Sequence, residues 1–130
     1  MIFNSLDLKG GNYRVCVHEL LGEILENGSS AERHYGYKPE DIVTTESHIF
    51  CGKCHQCQIG EAHVCSNQEI IGITTDGCFD DRVKLPAKEL WKADISKIRP
   101  EVAAIQEPLR NPVHICSRVD LRGKSVAIFV

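Results

Sequence analysis

Four cysteines between Cys51 and Cys65 constrain this 130-residue chain more than any other feature, because they decide what must hold its middle together. Their spacing is C-x2-C-x2-C-x7-C, through Cys51, Cys54, Cys57 and Cys65. The stretch that contains them, residues 48–67, is poor in large apolar side chains and cannot build a core of its own. Cysteines three apart can turn their sulfurs to one point, with Gly52 relieving the backbone, and the longer loop lets the fourth close a tetrahedral cage. Four thiolates leave no open position, so a zinc ion there is structural rather than catalytic. Such an ion contributes about 10–16 kcal/mol to the folding of small metal-dependent domains. Disulfides between cysteines so close are strained, and an odd total of seven cysteines argues against a bridged framework. An iron–sulfur cluster is the main alternative for four thiols, ahead of a redox Cys-x-x-Cys site, which would not need all four.

The rest of the composition is that of an ordinary globular chain, 42% apolar and 25% charged. A net charge of −3 is a poor match to a nucleic-acid-binding surface, and the reading is of no nucleic-acid partner. No apolar run reaches the ~20 residues that span a bilayer, and Met1 to Lys9 has no secretory pattern. The expectation is a cytoplasmic protein with no membrane partner.

Partial alternation from Tyr13 to Leu25 predicts an extended strand, bent at Gly22. Asp41 to Thr45 predicts a second, and Glu69–Ile73 with Phe79–Leu85 a pair around Thr75-Asp76-Gly77. Val102, Ile105 and Leu109 have helical spacing between Pro100 and Cys116, which Pro108 and Pro112 are expected to break into short pieces. Val126 to Val130 is a continuous apolar run, the pattern of a strand buried on both faces. Cys78 and Cys116 read as buried free thiols.

Several ordered segments together resemble the zinc-containing medium-chain alcohol dehydrogenases, and most nearly the L-threonine 3-dehydrogenases among them. They are His18-Glu19 with Gly22-Glu23-Ile24, Gly36 to Val43, Glu46-Ser47-His48 running into the cysteines, and His63-Val64-Cys65. Asp76-Gly77 with Phe79, Leu85-Pro86-Ala87-Lys88 with Leu90-Trp91-Lys92, Gln106-Glu107-Pro108-Leu109, and Gly123 to Ile128 follow in the same order. The resemblance implies a mostly β, GroES-like catalytic domain with short helices and a structural zinc lobe. It places a catalytic-domain fragment over residues 1–122, with the lobe at 48–67. Residues 123–130 then resemble the first strand of a Rossmann-type nucleotide-binding domain. It further implies NAD(P)-dependent oxidation of a secondary alcohol, with a second, catalytic zinc polarising the alcohol oxygen.

The positions that match that zinc's ligands are His18, Glu19 and Glu107. The family's leading cysteine, in a Cys-Gly-Thr/Ser-Asp segment, has no counterpart before His18; Cys16, on the same face of a strand as His18, is the candidate substitute. Val17 and Arg110 stand where the family keeps glycine. Gly10-Gly11 is not a dinucleotide fingerprint, so NAD(P) is expected only where a nucleotide-binding domain is supplied elsewhere, for instance by another chain. The chain by itself is then expected to be inactive. The alternative is a non-enzymatic module that binds structural zinc and assembles, for instance as a homodimer through pairing of the C-terminal strand.

Overall fold

Ile42–Thr45 (β2) is the strand on which the other elements are hung, and three of its four residues are buried. The computed structural model describes residues 14–129. Leu21–Glu23 (β1) and Leu90–Lys92 (β5) flank β2, both antiparallel, in the order β1-β2-β5. Leu21 faces Thr44 across the first ladder, and Thr45 faces Leu90 across the second. A central strand is covered on both edges, which suits the β-branched run Ile42-Val43-Thr44-Thr45. His48–Ile49 (β3) and Glu69–Ile70 (β4) make a second, two-stranded sheet.

On one side of the larger sheet Ile24, Tyr37 and Val43 form the core, with Ala87 and Leu90 packed against it. Burying side chains of this size contributes on the order of 2 kcal/mol each, so this core is modest. Tyr37 is pinned through its hydroxyl, which donates to the Leu90 carbonyl. The helix Ser29–Tyr35 (α1) delivers it and stops at Gly36, whose φ of +68° closes the last turn with an N–H bond to Glu32. That left-handed conformation suits glycine. Lys92 crosses back to Asp41, its Nζ 2.8 Å from the carboxylate.

The short helix Pro100–Ala103 (α3) starts with proline at its first position and buries Ala103. It leads into Gln106–Arg118 (α4). Pro108 and Pro112 do not break α4, contrary to the sequence expectation. Pro108 lies in the first turn, where its missing N–H has no intrahelical partner to lose. Pro112 is inside the helix and forfeits one bond. The helix is nonetheless continuous, and its strongly one-sided apolar pattern agrees with that.

Other expectations are corrected in the same way. The long strand expected to Leu25 is regular only at β1, and Gly22 pairs with Val43 rather than bending the chain. Residues 79–85 make no strand, and Ile71–Ile73 turn away from β4 through a Gly72 at φ +76°. More of the described residues lie in helices than in strands, so the architecture is a set of small antiparallel sheets with short helices rather than a mostly β domain. Residues 124–129 form no strand either; Ile128 and Phe129 are 83% and 95% exposed. Among the described residues no neighbouring strand supplies the ladder that an apolar run needs. Cys116 is exposed on α4, whereas Cys78 is buried as expected. Tyr13, Val130 and the Gly10-Gly11 pair fall outside the described residues.

Candidate metal centres

The cysteine lobe is a chain of tight turns. After β3 the backbone turns at Gly52, φ +73°, into the helical turn His55–Gln58 (α2). It turns again at Gly60, φ +87°, into a 3-10 turn over Ala62–Val64 that ends at Cys65. A side chain at either glycine would be strained. The Cys54 sulfur lies 3.5 Å from that of Cys57 and 3.8 Å from that of Cys65. All four sulfurs lie within 4.8 Å of one another. A tetrahedral Zn–S distance of ~2.3 Å sets sulfurs about 3.8 Å apart, so the donor set fits zinc in both chemistry and size. All seven cysteines are free thiols.

Backbone amides reinforce the cluster from outside. The N–H groups of Cys51 and Asn67 both point at the Cys65 sulfur, and that of Cys54 at Cys51, each at 3.4 Å. Amide donors from Cys57 and Ser66 draw the Cys54 thiol down to about 6. Desolvation, with the hydrogen bond to Cys54, pushes Cys57 up to about 12. The lobe is tied to the body at Phe50, whose carbonyl accepts from Lys88 Nζ and whose ring lies 3.9 Å beneath that ammonium.

A second gathering of donors lies where β2 ends. The loop before β1 supplies His18 and Glu19, and the first turn of α4 supplies Glu107, 89 positions further along the chain from His18. His18 Nε2 lies 3.8 Å from Glu107 Oε2 and 3.9 Å from Glu19 Oε1. These are too long for hydrogen bonds, and the three donors group within 4.8 Å. An imidazole with two carboxylates and open positions fits a catalytic type of divalent cation. Cys16 is not part of this group. The alternation that would aim it alongside His18 is interrupted at Val17, whose φ is +74°, and the Cys16 thiol instead lies 3.8 Å from the Arg14 carbonyl.

Val17 thus takes a left-handed backbone that a β-branched residue rarely adopts. The surroundings hold it there. The Gly77 and Cys78 amides donate to Val15 and Val17 at 2.7 Å each, and Phe79 donates to Cys16 at 3.1 Å. A Cβ on Gly77 would run into the Cys16 and Val17 carbonyls.

Three further participants stood in the sequence only as part of the resemblance, Glu46 and Ser47 as matching positions and Arg110 as a replaced glycine, with no role at the site attached to them. Ser47, only 1% exposed, donates to Glu107 Oε1 at 2.7 Å. Glu46 accepts from the Ser47 amide at 3.0 Å and pairs through its other oxygen with Arg110. The latter two also line a cleft of about 200 Å³ with Thr45, Trp91, Gln106 and Glu107.

Residues 3–95 match the alcohol dehydrogenase GroES-like domain family. The chain belongs to that family. It is 43% identical over 111 residues to the L-threonine 3-dehydrogenase of Caldanaerobacter subterraneus, which covers 85% of this chain and 31% of the relative. The L-threonine 3-dehydrogenase of Pyrococcus horikoshii is 44% identical over 115 residues, covering 88% and 32% respectively. The chain therefore spans about a third of the length of these curated relatives. The alcohol dehydrogenase of Aeropyrum pernix superposes with a TM-score of 0.60 at 26% identity, over 74% of this chain and 27% of that one. Galactitol-1-phosphate dehydrogenase of Escherichia coli shares the fold with a TM-score of 0.70 at 24% identity, over 78% and 28%. As a GroES-like alcohol dehydrogenase domain, the chain accounts for both the small sheets and the cysteine lobe. No helix among the described residues is long and apolar enough to cross a membrane.

Proposed function

We propose that the chain is the metal-binding catalytic-domain portion, residues 1–122, of a zinc-dependent alcohol or threonine dehydrogenase. The observation that carries this is the convergence of His18, Glu19 and Glu107 in a chain that also brings four cysteine sulfurs within 4.8 Å of one another. Cys51, Cys54, Cys57 and Cys65 hold the structural zinc. His18, Glu19 and Glu107 hold a second divalent cation, which when bound supplies Lewis acidity to an alcohol oxygen. Glu107 is nine-tenths buried as a side chain and His18 about three-quarters, whereas Glu19 is 43% exposed, so the donor group opens to solvent on the Glu19 side.

Hydride transfer also needs NAD(P), which this reading assigns to a nucleotide-binding domain outside residues 1–122, begun by residues 123–130 or completed by another chain. The 130 residues alone then bind metal in the cytoplasm without oxidising alcohols. Elemental analysis of purified protein tests this, with two zinc ions per chain expected and one after His18→Ala. One zinc in both proteins would refute the second site.

A second reading, a non-enzymatic zinc-binding assembly module, is favoured by the uncovered apolar residues Val126, Ile128 and Phe129. It predicts a homodimer through strand pairing there. Sedimentation that shows a monomer at high concentration would remove it.

A further inference from the structure

Glu107 faces two ways. Its Oε2 looks towards His18 and Glu19, while its Oε1 accepts from Ser47. On the Oε1 side Glu46, His48 and Glu107 make another group of three possible donors, again within 4.8 Å of one another. The two groups share one carboxylate, so the geometry by itself offers a divalent cation two overlapping positions.

The neighbours differ. Glu46 is already engaged: Oε2 pairs with the Arg110 guanidinium, and Oε1 accepts from the amides of Ser47 at 3.0 Å and His48 at 3.3 Å. A guanidinium is permanently charged and presents a planar fork to a carboxylate. A cation entering here would meet that charge at close range. Ser47 has a single hydroxyl proton, and its nearest acceptor is Glu107 Oε1 at 2.7 Å. His48 Nδ1, 2.9 Å from the same hydroxyl and 3.3 Å from Glu46 Oε1, then sits as the N–H donor to that pair of oxygens and has no lone pair to offer a metal there. This tautomer follows from the hydrogen-bond network. On the His18 side nothing comparable stands in the way among the described residues, where no hydrogen bond occupies the facing atoms of His18 and Glu107, 3.8 Å apart.

Building on the metal reading above, we propose that Arg110 and Ser47 are positioning residues that select between the two metal positions. Arg110 occupies Glu46 with its own positive charge. Ser47 ties down Oε1 of Glu107 and turns Oε2 towards His18. The cation is therefore held on the His18–Glu19 side, facing away from Glu46.

The test uses the full chain with its cysteine cluster loaded with zinc, titrated with Co²⁺ against a chromophoric chelator. The Co²⁺ form is then examined by NMR for strongly shifted imidazole N–H signals. The wild type takes up one Co²⁺ and shows one such signal, absent in His18→Ala. Ser47→Ala weakens Co²⁺ binding about tenfold or more, the usual effect of removing a partner that orients a ligand, and Ser47→Thr restores it. Arg110→Ala frees Glu46, and when Ser47→Ala also releases His48 Nδ1 a second imidazole signal appears that is lost on adding His48→Gln. Circular dichroism and retention of the cluster zinc verify that each variant is folded. Wild-type affinity in Ser47→Ala, or a wild-type spectrum in the Arg110→Ala, Ser47→Ala double variant, overturns the selection while the His18 site stands. No Co²⁺ uptake by the wild type overturns both.

Discussion

Gly77→Ala is the smallest change that tests how the His18 segment is held. A Cβ at Gly77 collides with the backbone carbonyls of Cys16 and Val17, and neither is the movable end of a side chain. The two segments must separate. The separation puts three hydrogen bonds at risk, from the amides of Gly77, Cys78 and Phe79 to Val15, Val17 and Cys16. Losing two or three at about 1 kcal/mol each outweighs the gain of about 0.5–1 kcal/mol from a stiffer unfolded chain. The expected net loss is about 2 kcal/mol. In urea, with a slope of about 1–3 kcal/mol/M, that lowers the unfolding midpoint by about 1 M with the slope unchanged. His18 follows Val17 directly, so Co²⁺ affinity at the second site falls in parallel. Gly36→Ala is the control: its φ is +68°, but nothing lies within 4 Å of an added Cβ. It carries only the backbone cost, about 1 kcal/mol, and leaves Co²⁺ binding alone. A Gly77→Ala loss no larger than that of Gly36→Ala, or unaltered Co²⁺ binding, would refute the steric reasoning.

Chelating the cluster metal, or Cys65→Ser, should abolish amide-exchange protection across residues 51–65 while the β1-β2-β5 sheet keeps its own, because the lobe has no core to fall back on; hydrogen-exchange NMR resolves the two regions. Glu89 is buried, and that burial raises its carboxyl above the usual range although Lys88 pulls the other way. The folded state therefore holds the proton more tightly, and stability falls as pH rises from the ordinary value of about 4.3 to the raised one. Glu89→Gln should be more stable than the wild type at neutral pH and gain nothing at pH 4 and below, read from urea midpoints across that range. Pro112→Ala restores a helix bond and removes a poor helix former from α4, and should raise stability by about 1–3 kcal/mol, seen in thermal melts by circular dichroism.

The cysteine cluster was legible in the sequence because its ligands are local. Cys51 to Cys65 span one short loop, and spacing limits where the sulfurs can go. The strand at Ile42–Thr45 was legible for a similar reason, since a β-branched run next to a turn has few alternatives. Regularity that depends on a distant partner was not. The expected strand at residues 79–85 found no ladder, and Phe79 spends its amide on Cys16 instead. Pro108 and Pro112 read locally as breakers, yet one falls in a first turn and the other is carried by a helix whose remaining turns hold.

The second donor group divides along the same line. The residue types His18, Glu19 and Glu107 stood out through their resemblance to a family pattern. Val17's left-handed backbone, by contrast, appears only when Gly72 and Gly77 close around it. The pairing of Arg110 with Glu46 and of Ser47 with Glu107 likewise joins positions about sixty residues apart. Sequence alone determined which ligands the chain possesses and which of them sit close enough along the backbone to form a cage. Tertiary structure decided which remote side chains meet and which oxygen of a shared carboxylate is left free. Hydrogen-bond direction and charge proximity depend on three-dimensional distance, which spacing along the chain does not encode.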